Sequence, residues 1–443
     1  MRQRPPNPAV RADFAWRTTK LGRKQKVAWL LIMVSLLFIG WMTLVPYPEL
    51  VEEVRSLPHT CLVCGELGGQ DVLLNILLFV PLGVGLGLTG LRRHWALAII
   101  VLTTLAVETL QYTVIVGRHA SLSDVLTNSL GGWLGMTLAR HARELLLPSP
   151  SRARALAITG AIAWLTIQGL TAVLLSVEVP FKEYVVEWAP RLHQYGQFKG
   201  TVLKSSLDHI DLASGQALDD VLLRDHLTRD SYSVEAITTP DVAAPWFAPV
   251  FSLLDRDENE LLLLAQSDRD LFFRVRMRTA LVRVRTPALR LQNVVQSASS
   301  APLQIDAGRD QGRLFIRVRC AGKEYVRQLP MSPSWAWSFL IPFEYGFGAD
   351  VHFLTALWIA GLLAPIGYWA RRSVTSQRRM WRVRSLLLVA VVIGLEVIPL
   401  LAHFHAVHWS EWLAAALGLL IGEWLASAMA IAPQGRKVWA DVL

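Results

Sequence analysis

Eight stretches of this 443-residue chain are apolar over nearly the length that crosses a bilayer, and they constrain its fold more than any other feature. A spanning helix needs about 20 mostly apolar residues. The windows 28–46, 72–91, 95–116, 121–139, 155–177, 352–370, 386–403 and 409–432 meet that need approximately. Hydrophobic residues make up 53% of the chain, and its mean hydropathy is +0.36. Both values are high for a soluble protein of this size. The first window opens like a secretion signal, with a basic region followed by an apolar run. Its uncharged stretch, Ala28 to Val45, is longer than a signal core, and no small-residue cleavage site follows. A retained helix is therefore expected.

The net charge of +9 does not indicate nucleic acid, because its placement follows the membrane pattern. Residues 1–27 carry eight Lys/Arg against the single acid Asp13, and residues 371–385 carry six Arg and no acid. Arg92 and Arg93, Arg140 to Arg154, and Arg436 with Lys437 sit in alternate loops. The loop 47–71 reverses the balance, with Glu49, Glu52, Glu53, Glu66 and Asp71 against Arg55. Basic loops stay in the cytoplasm, so both termini are expected inside. The fourth window is the least apolar, since it holds Asp124, Asn128 and three glycines.

Residues 178–349 interrupt the apolar pattern with a charged block, expected on the outer side. Short runs at 232–237, 249–254, 260–265, 271–276, 289–295, 313–319 and 324–328 read as strands separated by turn signals such as Asp310-Gln311-Gly312. Leu314 to Arg319 alternates apolar and polar, as a half-buried strand does. The expectation is an antiparallel β-sandwich, and the run Tyr232–Phe273 resembles the laminin-G/concanavalin-like jelly roll. That resemblance implies glycan binding, with Trp246, Trp335 and Trp337 as candidate stacking platforms. Trp335 and Trp337 immediately precede the sixth window, which favours a core or membrane-boundary role for them. Asp255, Asp257 and Asn259 read as a solvated hairpin turn, because the glycine and glutamate spacing of a calcium loop is absent.

The fold class is thus a polytopic α-helical membrane bundle of about eight helices with an inserted extracytoplasmic all-β, jelly-roll-like sandwich. Its divisions are a basic N-terminus (1–27), a first membrane region (28–177), the sandwich (178–349), three further helices (350–432) and a short tail (433–443).

Ionisable groups inside a bilayer mark functional sites by default. Glu108 and Gln111 share one face of the third window, and Asp124 and Asn128 share one face of the fourth. Asn75 opens the second, and Arg118 lies in the loop between the third and fourth. Glu108 stands eight residues before Val116, about 12 Å from the outer end. These groups should therefore converge near the outer leaflet on a cation, a polar headgroup or a proton.

Residues 71–139 resemble the VanZ-like family, which is named for a teicoplanin-resistance protein. The resemblance lies in Asp71-x-x-x-Asn75, Phe79-x-Pro81-x-Gly83, Glu108-x-x-Gln111, Gly117-Arg118, Ser123-Asp124-x-x-x-Asn128 and Gly131-x-x-x-Gly135. It implies a membrane location and a link to the cell envelope or to glycopeptide antibiotics, and it carries no reaction.

The last three windows echo the second to fourth. Pro365-Ile366-Gly367 matches Pro81-Leu82-Gly83, Glu396 matches Glu108, and Ser410-Glu411 matches Ser123-Asp124. Gly418 and Gly422 follow Glu411 at the spacing of Gly131 and Gly135 after Asp124. A degenerate second unit is the expectation, with Glu396, His405 and Glu411 as its polar cluster. His403, His405 and His408 read as interfacial loop histidines rather than metal ligands. Cys61 and Cys64 lie in the first outer loop, where a disulfide is expected ahead of a redox dithiol or a metal site.

No P-loop, HExxH, nucleophile elbow or nucleotide fingerprint is present, so no cofactor is expected. The expected partners are the bilayer, a lipid-linked glycan or glycopeptide, and a glycan at the sandwich. Competing readings are a membrane enzyme acting on an isoprenoid-linked sugar, with Glu108 or Asp124 as base, and a transporter built from two parallel repeats.

Overall fold

The computed structural model describes residues 22–46, 63, 65, 67–118, 120–192, 195–241, 244, 247–295, 301–343, 345–374 and 376–431. Eight long helices stand among them. They are α1 (Arg23–Leu44), α2 (Gly68–Leu88), α3 (Arg93–Thr113), α4 (Leu122–Arg140), α5 (Pro150–Leu174), α6 (Val351–Arg372), α7 (Gln377–Val392) and α8 (Trp409–Ile431). A π turn, Ile393–Val397, and a last helical turn, Ile398–Leu401, extend α7. Seven of these helices are long and apolar enough to cross a membrane, counting α7 with its extension. The fourth expected span, α4, falls outside that set because Ser123, Asp124, Thr127 and Asn128 line its first turns.

Glycine determines how α4 packs. A Cβ on Gly131 would run into the carbonyl oxygen of Ile76, and one on Gly135 into that of Val80. On the facing helix, a Cβ on Gly83 would meet the carbonyl of Gly132. Contacts therefore advance in the same direction along both helices, so α2 and α4 run parallel with their backbones touching. Small residues spaced four apart permit this approach. α1 and α3 run the opposite way and cover the pair: Gly85 abuts Ile32, and Gly132 abuts Ile100. A second parallel pair, α6 and α8, is covered by α5 and α7. Trp164 of α5 lies against Gly394, and Arg384 of α7 pairs with Glu423 of α8 at 2.6 Å.

Between α5 and α6 lie two sheets. Edge to edge, one orders Gly346–Phe347, Ala288–Leu291, Asp270–Val275, Glu260–Ser267, Ala248–Asp255, Tyr184–Trp188 and Ala217–Leu218. The other orders Lys323–Pro330, Arg313–Cys320, Leu303–Asp310, Ser231–Thr238, Val202–Leu207 and Ile210–Leu212. All pairings are antiparallel except that of Gly346–Phe347 with Ala288–Leu291. The seven expected runs are all strands. Six strands are additional among the described residues: Val202–Leu207 and Leu303–Asp310 inside the six-stranded sheet, Tyr184–Trp188 inside the other, and the short edge strands Ile210–Leu212, Ala217–Leu218 and Gly346–Phe347. Inward residues such as Phe251, Leu253, Phe273, Val234, Ile305 and Ile316 form a core that continues into Ala172 of α5 and Val351 of α6. The sandwich thus stands at the helix ends opposite the basic residues Arg23, Arg92, Arg140, Arg152 and Arg371.

Trp335 and Trp337 are buried at 2% and 7% exposure and pack on Phe347, so they are core residues and not platforms. Trp246, Cys61 and Cys64 lie outside the described residues, while Cys320 is buried. In the turn after Ala248–Asp255, the Asp255 carboxylate accepts from the backbone N–H of Asp257 and Asn259, both at 2.9 Å. Lys182 Nζ bridges it to Asp257 at 2.6 and 2.9 Å. Burial acts to raise the Asp255 pKa, but the bonds from Lys182 and Asn259 outweigh it and hold the carboxyl below the usual range. A lysine thus occupies the position a cation would take.

Because the α2–α4 contact is backbone to backbone, Gly131→Ala and Gly135→Ala should each lower the thermal stability of the detergent-solubilised chain. Overpacking of this kind costs about 1–3 kcal/mol. Gly169→Ala, where a Cβ meets open space, should be silent. Equal unfolding temperatures for all three would contradict the packing described.

Candidate functional site

The candidate site forms where α2 and α4 begin and α1 and α3 end. Ser121 caps α4, its hydroxyl accepting from Asp124 N at 3.1 Å. The backbone N–H of Ser121 donates to Glu108 Oε2 at 2.9 Å. One residue therefore brings the two acids of different helices together, with the positive end of the α4 dipole beside Glu108. Asp124 Oδ1 also accepts from Asn75 Nδ2 at 2.7 Å, which fixes it against α2. One turn deeper, Asn128 Nδ2 donates to Thr104 Oγ1 of α3 at 3.0 Å.

The remaining two residues expected at the site turn toward α1. A helix leaves its last carbonyls unpaired, and here Arg118 and Gln111 satisfy them. Arg118 donates through Nη2 to Met42 O at 2.8 Å and through Nε to Val45 O at 3.1 Å, and Gln111 Nε2 donates to Thr43 O at 2.9 Å. Two acceptors stay unsatisfied: Gln111 Oε1 and Asn128 Oδ1 are buried with no hydrogen-bond partner among the described residues. Buried polar atoms rarely lack a partner, and these two lie on the same helix faces as Glu108 and Asp124.

Sequence reasoning missed three contributors. Asp71 lies one helical turn before Asn75, within electrostatic reach of Asp124, and the i,i+4 spacing already signalled this. Ser121 carried no such signal. Arg285 arrives from the sandwich and, with Arg118, interacts with Asp71. It is positioned by a docked segment: Gly69 and Gln70 of α2 donate their free N–H groups to Arg283 O at 3.1 and 3.2 Å. In return, Arg285 N donates to Gln70 Oε1 at 3.3 Å, and Gln70 Nε2 reaches Ile341 O. Three carboxylates thus gather here, Asp71 facing two arginines, an arrangement rich in acceptors and suited to hydrogen-bond donors or a cation.

The second expected cluster does not assemble. Glu411 is buried and accepts from Ser332 Oγ at 2.8 Å, His405 pairs with Arg313 at 2.6 Å, and Glu396 sits in the π turn. No hydrogen bond joins the three among the described residues. Nor does any group of three His, Cys, Asp or Glu there have the arrangement of a metal site. On the sandwich, a groove of about 260 Å³ crosses the outer face of the six-stranded sheet between Asp208, Ser233, Phe315, Arg317 and Gln328.

Residues 16–146, under a third of the chain, match the VanZ/LLP1 family model. That range contains α1 to α4 and every polar group of the constellation except Arg285, including the clamp on α1 that the motif region 71–139 leaves out. With the apolar helices, it makes this an integral membrane protein carrying a VanZ-like region, linked to the envelope at the level of the family. No match was found among curated proteins or among solved structures.

Removing the clamp should loosen the end of α1. Arg118→Ala should speed hydrogen–deuterium exchange in the peptide covering 40–46 by at least tenfold, since hydrogen bonds to charged groups contribute about 1.5–3 kcal/mol. Thr137→Ala, which loses only an exposed intrahelical bond, should leave it unchanged. Equal exchange in both variants would contradict the clamp.

Proposed function

We propose that the VanZ-like unit holds the polar headgroup of a lipid-linked envelope precursor, or the corresponding part of a glycopeptide antibiotic, on the outer face of the cell membrane. The observation that carries this is the convergence of Glu108 and Asp124 on Ser121, beside two buried amide oxygens that no donor among the described residues reaches. Helix packing alone needs neither two carboxylates nor orphaned acceptors. An outward orientation is supported by the basic residues at the other end of every helix pair. A depth of about one to two turns below the helix ends suits a headgroup at the interface. The sandwich groove, with Asp208, Arg317 and Gln328 around Phe315, would hold a glycan.

Glu108→Gln and Asp124→Asn keep size and most hydrogen bonding, so both variants should fold normally. Each should reduce retention of a polyprenyl-linked sugar by the purified chain five- to hundredfold, which corresponds to about 1–3 kcal/mol for an unpaired buried group. In cells producing the chain, teicoplanin sensitivity should move with it. Two stable variants with unchanged retention and unchanged sensitivity would reduce these acids to packing residues.

A further inference from the structure

The two halves of the bundle share a contact map. Gly131 of α4 abuts Ile76 of α2, and Gly418 of α8 abuts Ala360 of α6. Gly135 abuts Val80 and Val84; Gly422 abuts Ala364 and Tyr368. Gly83 abuts Gly132, and Gly367 abuts Leu419. One constant offset relates α2 to α6 and another relates α4 to α8, across all these contacts. The prolines agree: Pro81 interrupts α2 where Pro365 interrupts α6. Both pairs are parallel, and each first helix is covered by the helix preceding it in the chain, α1 on α2 and α5 on α6. The sandwich is inserted between α5 and α6, where the first half has only the loop between α1 and α2.

This register makes Glu411 the counterpart of Asp124. Their surroundings differ. Asp124 keeps partial exposure and accepts from Asn75 of its own unit, whereas Glu411 is 3% exposed and accepts from outside the helices. It is covered by the segment Ser332–Leu340, which runs from the six-stranded sheet across the end of the second unit. Ser332 Oγ donates to the Glu411 carboxylate at 2.8 Å, and Ser334 presents its hydroxyl to the same group. Gln168 of α5 donates to Ser334 Oγ at 3.1 Å, and Trp337 Nε1 donates to Thr355 of α6 at 3.0 Å, which seats the segment firmly.

We infer that the second four-helix unit is a copy of the first whose ligand position is filled by the protein's own serines, and that the open first unit therefore takes hydroxyl donors, the sugar headgroup of a glycolipid. This rests on the pocket assigned above and names what enters it. The orphaned oxygens of Gln111 and Asn128 need donors, as Glu411 does, and in the second unit those donors are hydroxyls arriving from the sandwich side. A phosphate alone would place an anion among Asp71, Glu108 and Asp124. A hydroxylated ring offers several donors without charge, and its acyl chains would remain in the bilayer beside α2 and α4.

The test uses the full chain in phosphatidylcholine nanodiscs with monoglucosyl-diacylglycerol as the probe, counted by native mass spectrometry. Wild type should retain one glycolipid and Asp124→Asn none. Ser332→Ala/Ser334→Ala should retain two, and adding Glu411→Gln to that pair should return the count to one. Glu411→Gln alone keeps the Ser332 bond and the fold, and should stay at one; a fall to zero would place the glycolipid in the second unit and overturn the assignment. A folded double-serine variant that stays at one while Asp124→Asn falls to zero would sink the filled-copy inference and leave the first pocket standing. No retention by wild type would remove the pocket itself.

Discussion

Backbone contact between two parallel helices is the constraint from which the rest of the first unit follows. At Gly131 and Gly135, α4 lies directly on the carbonyls of α2, a separation no side chain permits. Parallel neighbours have aligned dipoles and no short connection, so a third helix must cross back between them. α3 does this, bringing Glu108 to the start of α4. The same contact sets the depth of Asp124 against Asn75. Shifting the register of α4 on α2 by one turn would separate that pair.

A close helix pair leaves its ends polar, and the ends are where the other parts attach. The first turn of α2 has unpaired N–H groups, and the carbonyl of Arg283 in the sandwich accepts from two of them. The last turn of α1 has unpaired carbonyls, and Arg118 and Gln111 donate to them. Site and scaffold therefore use the same residues. Arg118 pins α1 while its charge faces Asp71, and Ser121 caps α4 while it joins the two acids. This double use explains why so much polarity is tolerated at the edge of a bilayer, where each unpaired group is costly.

Much of this was legible in the sequence because the signals were periodic. Glycines four apart, acids and amides three or four apart, and apolar runs of spanning length all report helix faces directly. Strands with strong alternation, such as Arg313–Cys320, were equally plain. Leu303–Asp310 was not, although Leu303, Ile305 and Ala307 do point inward, because Asp306, Gly308 and Arg309 dilute the apolar pattern. Val202–Leu207 hides for a similar reason: Ser205 and Ser206 are buried in it. The contributions of Arg285 to the first unit and Ser332 to the second join residues 215 and 79 positions apart. No local pattern encodes them, since they arise from how the inserted sandwich docks. The partners of the loop histidines are likewise set by tertiary context. His405 faces Arg313, and His408 stacks on His352 at 4.0 Å.

The central claim is that one acidic pocket is open at the sandwich end and its counterpart is closed. A water-soluble carbodiimide with glycine methyl ester, applied to the native chain and followed by peptide mapping, reads this directly. Asp71 and Asp124 should acquire the adduct while Glu411 stays unmodified until the chain is denatured. Modification of Glu411 as rapid as that of Asp124, or protection of all three, would contradict the account.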